Sequence, residues 1–327
     1  MTRNTDQIAS GPPEFSVVIS CYNEAASIDE FHRRLSATLA SLGRTYEIVL
    51  VDDGSSDATW ERIEAIFERD PQVAVALELF KNSGPQAAVT AGINAARGAV
   101  FVFIDSDLQL DPEQLPELIA AWDEGVDVVT GYRTTRMDSR VRQLGSVLAN
   151  SIMRRGTGAT LRDFGCTFKI IEGRLVRAFE SGPRRVVRLT HLIAAARRCV
   201  EVPVRHHERP HGQSGWSVAR LVGYAIDNLV EVTNRPFQFL SVMLFVAAFL
   251  YMGRLIVGIF IPIVVLPEVT HGLILSGIFL TALFLTGVLV GIGEYVIRSY
   301  LVLQGQPAYI VRSERRRAVP AAASENP

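Results

Sequence analysis

Two long uncharged runs near the C-terminus limit what this chain can fold into more than any other feature. Phe237 to Gly253 passes seventeen residues without a charge, Arg254 interrupts it, and Leu255 to Pro267 continues apolar. Leu273 to Gly293 then adds twenty-one more uncharged residues. A helix needs about 20 apolar residues to cross about 30 Å of hydrocarbon. The runs therefore predict two transmembrane helices, 237–261 and 273–296. The link between them, 262–272, holds Pro262, Pro267, Glu268, His271 and Gly272 and no Lys or Arg. Arg220 and Arg235 precede the first run, and Arg298, Arg312, Arg315, Arg316 and Arg317 follow the second. By the positive-inside bias both flanks are expected in the cytoplasm and the short link outside. The competing reading is a pair of buried core helices, and the tandem runs with this charge asymmetry disfavour it. The tail is basic, then polar and Ala-rich, and is expected to be disordered after Arg312.

The rest of the 327 residues suffices for one α/β domain of about 200 residues. A formal net charge of −1 gives no global basic footprint, so nucleic acid is not an expected partner. Three cysteines (Cys21, Cys166 and Cys199) lie far apart without CxxC spacing, which disfavours a disulfide scaffold or structural zinc. The first fifteen residues are polar, so no secretory signal peptide is expected. The resulting division is a flexible N-terminus (1–13), an α/β domain (14–215), juxtamembrane helices (216–236), the two membrane helices with their link (237–298) and a tail on the cytoplasmic side (299–327).

Within the N-terminal part, short apolar runs alternate with segments of helical spacing. Strands are expected at Phe15–Ser20, Tyr46–Val51, Val73–Phe80 and Val100–Ile104, and helices at Ser27–Leu42, Thr59–Phe67 and Gln86–Ala96. Continuous apolar strands separated by helices imply a doubly wound, mostly parallel sheet covered on both faces. Ligands bind such sheets at the carboxyl ends of the strands. Three of those ends carry polar clusters: Cys21-Tyr22-Asn23-Glu24, Asp52-Asp53 and Asp105-Ser106-Asp107.

Asp105 and Asp107 flank one residue, so both can aim at a common point, and Gln109 continues the alternation. Two hard oxygens there suit Mg²⁺ or Mn²⁺, which keep waters and bind substrate phosphates. An ordinary acidic turn is the bland alternative. Asp52 and Asp53 would accept hydrogen bonds from a ribose or base, while Ser55, Ser56 and Asp57 are better placed to cap the next helix. No G-x-G-x-x-G or P-loop stands at a strand–helix junction, which disfavours a Rossmann dinucleotide site or a Walker NTPase. Residues 133–155 interleave Arg133, Arg136, Arg140, Arg142, Arg154 and Arg155 with apolar positions at helical steps. That pattern fits a helix lying on an anionic leaflet, and equally a surface helix packed on the core. His206, His207 and His211 are close in sequence, but adjacent residues in an extended segment point to opposite sides, which disfavours zinc.

In order, Ser16-Val17-Val18-Ile19-Ser20-Cys21-Tyr22-Asn23-Glu24, Val51-Asp52-Asp53-Gly54-Ser55, Asn82-Ser83-Gly84 and Asp105-Ser106-Asp107-Leu108-Gln109 resemble the GT-A glycosyltransferases of family 2. Gly131-Tyr132-Arg133, Asp163-Phe164-Gly165-Cys166, Phe168-Lys169, Glu201-Val202-Pro203-Val204 and Glu208-Arg209 extend the resemblance to the polyprenyl-phosphate glycosyltransferases, over roughly residues 14–310. The resemblance implies a GT-A fold and transfer of a sugar from a nucleotide-sugar, with UDP-sugar the expected donor, to undecaprenyl phosphate, for cell-envelope glycan or lipid A modification. It implies nucleotide-sugar contacts from Tyr22, Glu24, Asp52, Asp53, Asn82 and Asp105. Asp105, Asp107 and Gln109 would hold Mg²⁺ or Mn²⁺. Asp163, Asp107 and Arg133 would be catalytic. Arg133, Arg136, Arg209 and Ser214 would meet the acceptor phosphate. It also implies a homo-oligomer, a tetramer, in the bacterial inner membrane with the catalytic domain cytoplasmic. One departure stands out. The family loop G-x-S-K-Y reads Gly212-Gln213-Ser214-Gly215-Trp216 here, so a phosphate contact from its lysine does not transfer; either Arg205 or Arg220 substitutes, or the acceptor or donor is altered. A processive polysaccharide synthase would need a Q-x-x-R-W motif, which is absent. A catalytically silent scaffold is disfavoured by the intact carboxylates, and another lipid acceptor stays open.

Overall fold

The computed structural model describes residues 11–123, 125–134, 157–179, 186–208, 267–304 and 306–318, with isolated positions near 150 and 250. The apolar runs form strands β1 (Phe15–Cys21), β2 (Tyr46–Asp52), β3 (Val73–Leu79) and β4 (Val100–Phe103). Between them lie α1 (Ile28–Ser41), α2 (Thr59–Arg69) and α3 (Pro85–Ala95). Side chains alternate across a strand, so each strand feeds two cores. Val17 and Ile19 pack with Phe31, Leu35 and Ile63 of α1 and α2. Val18, Val49 and Val51 pack with the alanines of α3. That helix approaches so closely that a Cβ on Gly92 would lie 2.4 Å from Val18 Cγ1.

The chain continues through a 3₁₀ turn (Pro112–Gln114), α4 (Leu115–Trp122), β5 (Val128–Arg133), β6 (Lys169–Glu172), α5 (Gly173–Ala178), α6 (Leu189–Ala195) and β7 (Cys199–Val204). It ends with α7 (Pro267–Leu303) and β8 (Val311–Arg316). Among the described residues the strands form one sheet in the order β7-β5-β6-β4-β1-β2-β3-β8. Strands β4, β1, β2 and β3 pair in parallel. Strand β6 runs antiparallel to β4 and β5, and β7 runs parallel to β5. The carboxyl ends of β1 to β5 and β7 and the first residue of β6 therefore share one edge.

The backbone forms two compact units, residues 1–232 with 307–327, and residues 233–306. In the second, α7 is one continuous helix of 37 residues, about 55 Å long at 1.5 Å per residue. The helix runs past the expected 273–296 at both ends, and its candidate membrane span, Leu275–Gly293, lies within those bounds. Proline is tolerated in a first helical turn. Leu275–Gly293 has a mean hydropathy of 2.2, and Leu275, Ile278, Phe279, Leu283 and Leu289 are each more than half exposed. A core helix of a soluble protein would be mostly buried, whereas 6 % of this stretch is buried. Apart from isolated positions, the expected first membrane helix lies outside the described residues, as do the juxtamembrane helices.

The tail also departs from expectation. Val311–Arg316 is a strand, antiparallel to β3 at the margin of the sheet. Its sequence, Val-Arg-Ser-Glu-Arg-Arg, carries no apolar alternation, because the strand forms by covering an open edge rather than by burying a face. Arg312 pairs with Glu78 at 3.1 Å and Arg315 with Glu64 at 2.8 Å. Arg317 stacks 4.5 Å over the Phe67 ring and donates to the carbonyls of Phe67, Val73 and Asp70. Charge-assisted hydrogen bonds contribute about 1.5–3 kcal/mol each when well formed. We expect Arg317→Ala to destabilise the sheet-containing unit by about 2 kcal/mol, read as a lower denaturation midpoint followed by Trp60 and Trp122 fluorescence. An unchanged midpoint would show that the tail rests on the sheet without stabilising it.

Candidate active site

The polar clusters converge on the shared edge, but most of their carboxylates are buried and occupied in shaping loops. Asp52 is 1 % exposed and accepts from the Ser55 hydroxyl and backbone N–H. Asp53 is 2 % exposed, and its two oxygens accept from the backbone N–H groups of Ser83 (2.7 Å) and Gly84 (2.9 Å). Gly54 makes that approach feasible. Its φ is +65°, and a Cβ there would lie 2.4 Å from the Lys81 carbonyl carbon. Glu24 is buried too and accepts from the Ser27 hydroxyl at 2.5 Å. Of the expected capping trio, Asp57 receives the Thr59 N–H, while Ser55 turns back to Asp52. Of the residues expected at the nucleotide, Tyr22 and Asn82 are the exposed ones, while Asp105 is half-buried.

Burial lifts the Asp52 and Asp53 carboxyls to about 6, against the opposing hydrogen bonds from Ser55 and from Ser83 and Gly84.

At the end of β4, Asp105 and Asp107 are half-buried with Ser106 buried between them, as the alternation requires. Thr167 donates its hydroxyl to Asp105 Oδ2 at 2.8 Å. Leu108 has φ +59°, the left-handed region that a branched side chain rarely adopts. Beyond it Gln109 turns toward the segment after β7. Its Nε2 lies 3.3 Å from the His207 carbonyl, and the His207 N–H donates to the Gln109 carbonyl at 2.9 Å. Leu110 and His206 form a β-bridge, and His207 Nε2 lies 2.9 Å from Asp111 Oδ2. The loop after β4 is thus stitched to the segment that leads to Arg209.

The third group lies at the end of β5. Arg133 grips Asp163 through two contacts, Nε to Oδ2 at 2.7 Å and Nη2 to Oδ1 at 3.0 Å. Asp163 is 3 % exposed, and Glu201 Oε1 accepts its backbone N–H and that of Arg162. Sequence reasoning assigned no role to Thr167 or Glu201, and none to Ser83 and Gly84 as donors to Asp53. Their partners lie 30 residues or more away, so no local signal exists. Arg205 is exposed just after β7, whereas Arg136, Arg209, Ser214 and Arg220 lie outside the described residues.

The sequence profile described as "Glycosyl transferase family 2" matches residues 16–179. The undecaprenyl-phosphate 4-deoxy-4-formamido-L-arabinose transferase of Edwardsiella ictaluri is 33 % identical over 302 residues, covering 91 % of this chain and 93 % of its own. This chain is a family 2 glycosyltransferase. The Pseudomonas paraeruginosa protein of the same name is 40 % identical over 229 residues, covering 70 % of this chain and 68 % of its own. A solved glucosyl-3-phosphoglycerate synthase from Mycobacterium tuberculosis is 21 % identical, with a TM-score of 0.47 over 67 % of this chain and 80 % of that one.

In this family 2 glycosyltransferase the described residues hold no cluster of three His, Cys, Asp or Glu side chains. Asp105 and Asp107 alone fit a hard divalent cation that takes its other oxygens from water and a diphosphate. Gln109 donates its amide Nε2 toward the His207 carbonyl, which leaves its Oε1 for the ligand role expected of it.

The raised Asp53 pKa has a measurable consequence. Between the ordinary value of 3.8 and about 6 the folded state binds more protons than the unfolded one. Stability from this group therefore falls as pH rises through that window and is level above it. The wild-type stability minus that of Asp53→Asn, from denaturation at a series of pH values, should decline from pH ~4 to ~6. A rise across the window would contradict the sign.

Proposed function

We propose that this glycosyltransferase moves a sugar, with inversion, from a nucleotide-sugar to a polyprenyl phosphate at the cytoplasmic face of a bacterial inner membrane. The observation that carries the reading is similarity along nearly the whole length of an undecaprenyl-phosphate sugar transferase, the apolar C-terminal segment included. The site chemistry supports it. A phosphate monoester has a second pKa of about 6, so at neutral pH the acceptor is mostly a dianion. It needs no strong general base. Its oxygen forms a bond to the anomeric carbon as the bond to the nucleoside diphosphate breaks on the opposite face. What the protein supplies is position and charge neutralisation. Arg133, its plane fixed by Asp163, neutralises phosphate charge, and Asp163 orients it rather than accepting a proton. Tyr22 and Asn82 contact the nucleotide, and Asp52 and Asp53 build the loops that place them. Mg²⁺ or Mn²⁺ held by Asp105 and Asp107 would neutralise the leaving diphosphate as a Lewis acid. A UDP-sugar is the proposed donor.

Two membrane spans form part of the proposal. The chain leaves the sheet-containing unit at Val232 and is back in it at Pro307. Strand β8 pairs with β3 of the same sheet. Both ends of the intervening segment then lie on one side of the bilayer, so the number of crossings is even. If Leu275–Gly293 crosses, a partner span must precede it, which the run from Phe237 supplies.

Two experiments test these statements. Purified protein given undecaprenyl phosphate and labelled nucleotide-sugars should form a polyprenyl-phosphate sugar. Asp107→Ala or EDTA should lower that rate about 100-fold or more, the scale of losing one preorganised electrostatic group. Wild-type turnover in either case refutes the metal assignment. Glucosyl products on a different lipid, or none despite nucleotide binding, would favour another acceptor or the silent scaffold. For topology, a cysteine at Glu268 should react with an impermeant reagent in intact cells and one at Gln306 should not. The reverse pattern overturns the two-span arrangement.

A further inference from the structure

Lysine occurs at only two positions in this sequence, Lys81 and Lys169. Lys169 is 1 % exposed and opens β6, level with Phe103 of β4 and Thr130 of β5. It therefore lies at the ligand-binding edge, between the strand that leads to Asp105 and the strand that ends in Arg133. An ammonium has three protons to donate. Nζ donates to Thr130 Oγ1 at 2.9 Å and, in a short contact, to the Cys166 carbonyl, and it lies 3.5 Å from the Phe164 carbonyl. All three partners are neutral oxygens, and burial pushes its pKa down. Burying an ammonium is costly, the attraction of the nearby Asp163 and Asp105 carboxylates does not offset it, and an apolar side chain would fill a core position without that cost.

What the lysine holds explains its presence. The two carbonyls belong to the loop 163–168. Near one end of that loop Asp163 grips Arg133, and near the other Thr167 donates to Asp105. The loop thus spans from the carboxylate on the donor side to the arginine on the acceptor side. Thr130, on β5, ties it to the sheet. We propose that Lys169 is a positioning residue for transfer: by clamping the 163–168 loop to β5 it sets the spacing between Asp105 and the Arg133–Asp163 pair, and so between donor and acceptor. The inference rests on the reading of this edge as a sugar-transfer site.

The test uses the full chain in lipid nanodiscs, with Lys169→Met, Lys169→Arg and Thr130→Val. Three quantities are read: kcat and KM for undecaprenyl phosphate, UDP affinity by calorimetry with Mn²⁺, and deuterium exchange of the 163–168 segment. Lys169→Met should lower kcat about 30-fold or more, the scale on which slight misplacement of reacting groups acts. UDP affinity should stay within about 3-fold, since the nucleotide loops are built by Asp52 and Asp53. Exchange should rise in 163–168 and not in β1 to β3. Lys169→Arg, which keeps charge and donors, should recover part of kcat, and Thr130→Val should shift kcat and exchange the same way by a smaller amount. Unchanged kcat, unchanged loop exchange, or a joint fall of kcat, UDP affinity and melting temperature would overturn the proposal. If Lys169→Met does not fold, Thr130→Val decides. If the wild type transfers no sugar from any donor, the functional reading falls, and loop exchange still decides whether Lys169 holds the segment.

Discussion

Strand β1 is paired in parallel on both sides, to β2 and to β4, and that pairing determines where every other part of the site ends. Cys21 stands level with Asp52, and Val18 with Phe103. The turns after the three strands therefore leave the sheet on one edge, with β4 ending three residues short of β1 and β2. A shift of one residue would send the core side chains to the opposite face. The register is held because both faces of β1 are buried, with Val17 and Ile19 on one side and Val18 on the other. Precision at the site thus begins in apolar packing rather than among the polar groups that meet ligands.

The second tier of order is electrostatic. Asp53 gathers two backbone N–H groups from a loop thirty residues away, Asp163 receives two contacts from Arg133, and Glu201 gathers two more N–H groups. Buried backbone donors left without acceptors would each cost free energy comparable to a lost hydrogen bond. These buried acids thus also order the turns that carry the more exposed Tyr22 and Asn82. The left-handed Leu108 belongs with them: strain of this kind clusters where a loop must present its side chains in one way.

The strands β1 to β4 and helices α1 to α3 were legible because each carries its own signal, a continuous apolar run or a helical spacing. The edge they share was legible too, since parallel order follows from the alternation. The partners of Asp53 and Asp105 were not, because Ser83, Gly84 and Thr167 meet them only through the tertiary fold. Lys169 was hidden by its setting, a charge opening an apolar strand. Strand β8 was the largest omission. Val311–Arg316 has the composition of a disordered tail, and only the open side of β3 makes it a strand. Helix α7 runs seven residues past its expected end, to Leu303, because the helical geometry continues beyond the uncharged run that defined the expectation.

The return of β8 orders events in time during synthesis. Translation at about 5–20 residues per second separates Leu79 from Arg316 by roughly 10–50 s. Throughout that interval β3 has finished and its outer partner has not yet been made. The apolar segment Leu275–Gly293 is made before the sheet can close. Completion of the catalytic unit therefore waits on synthesis of that segment, and a nascent chain stalled before the tail presents an unpaired strand to its neighbours. Cutting the chain at Val232 to obtain a soluble enzyme would make that exposed edge permanent.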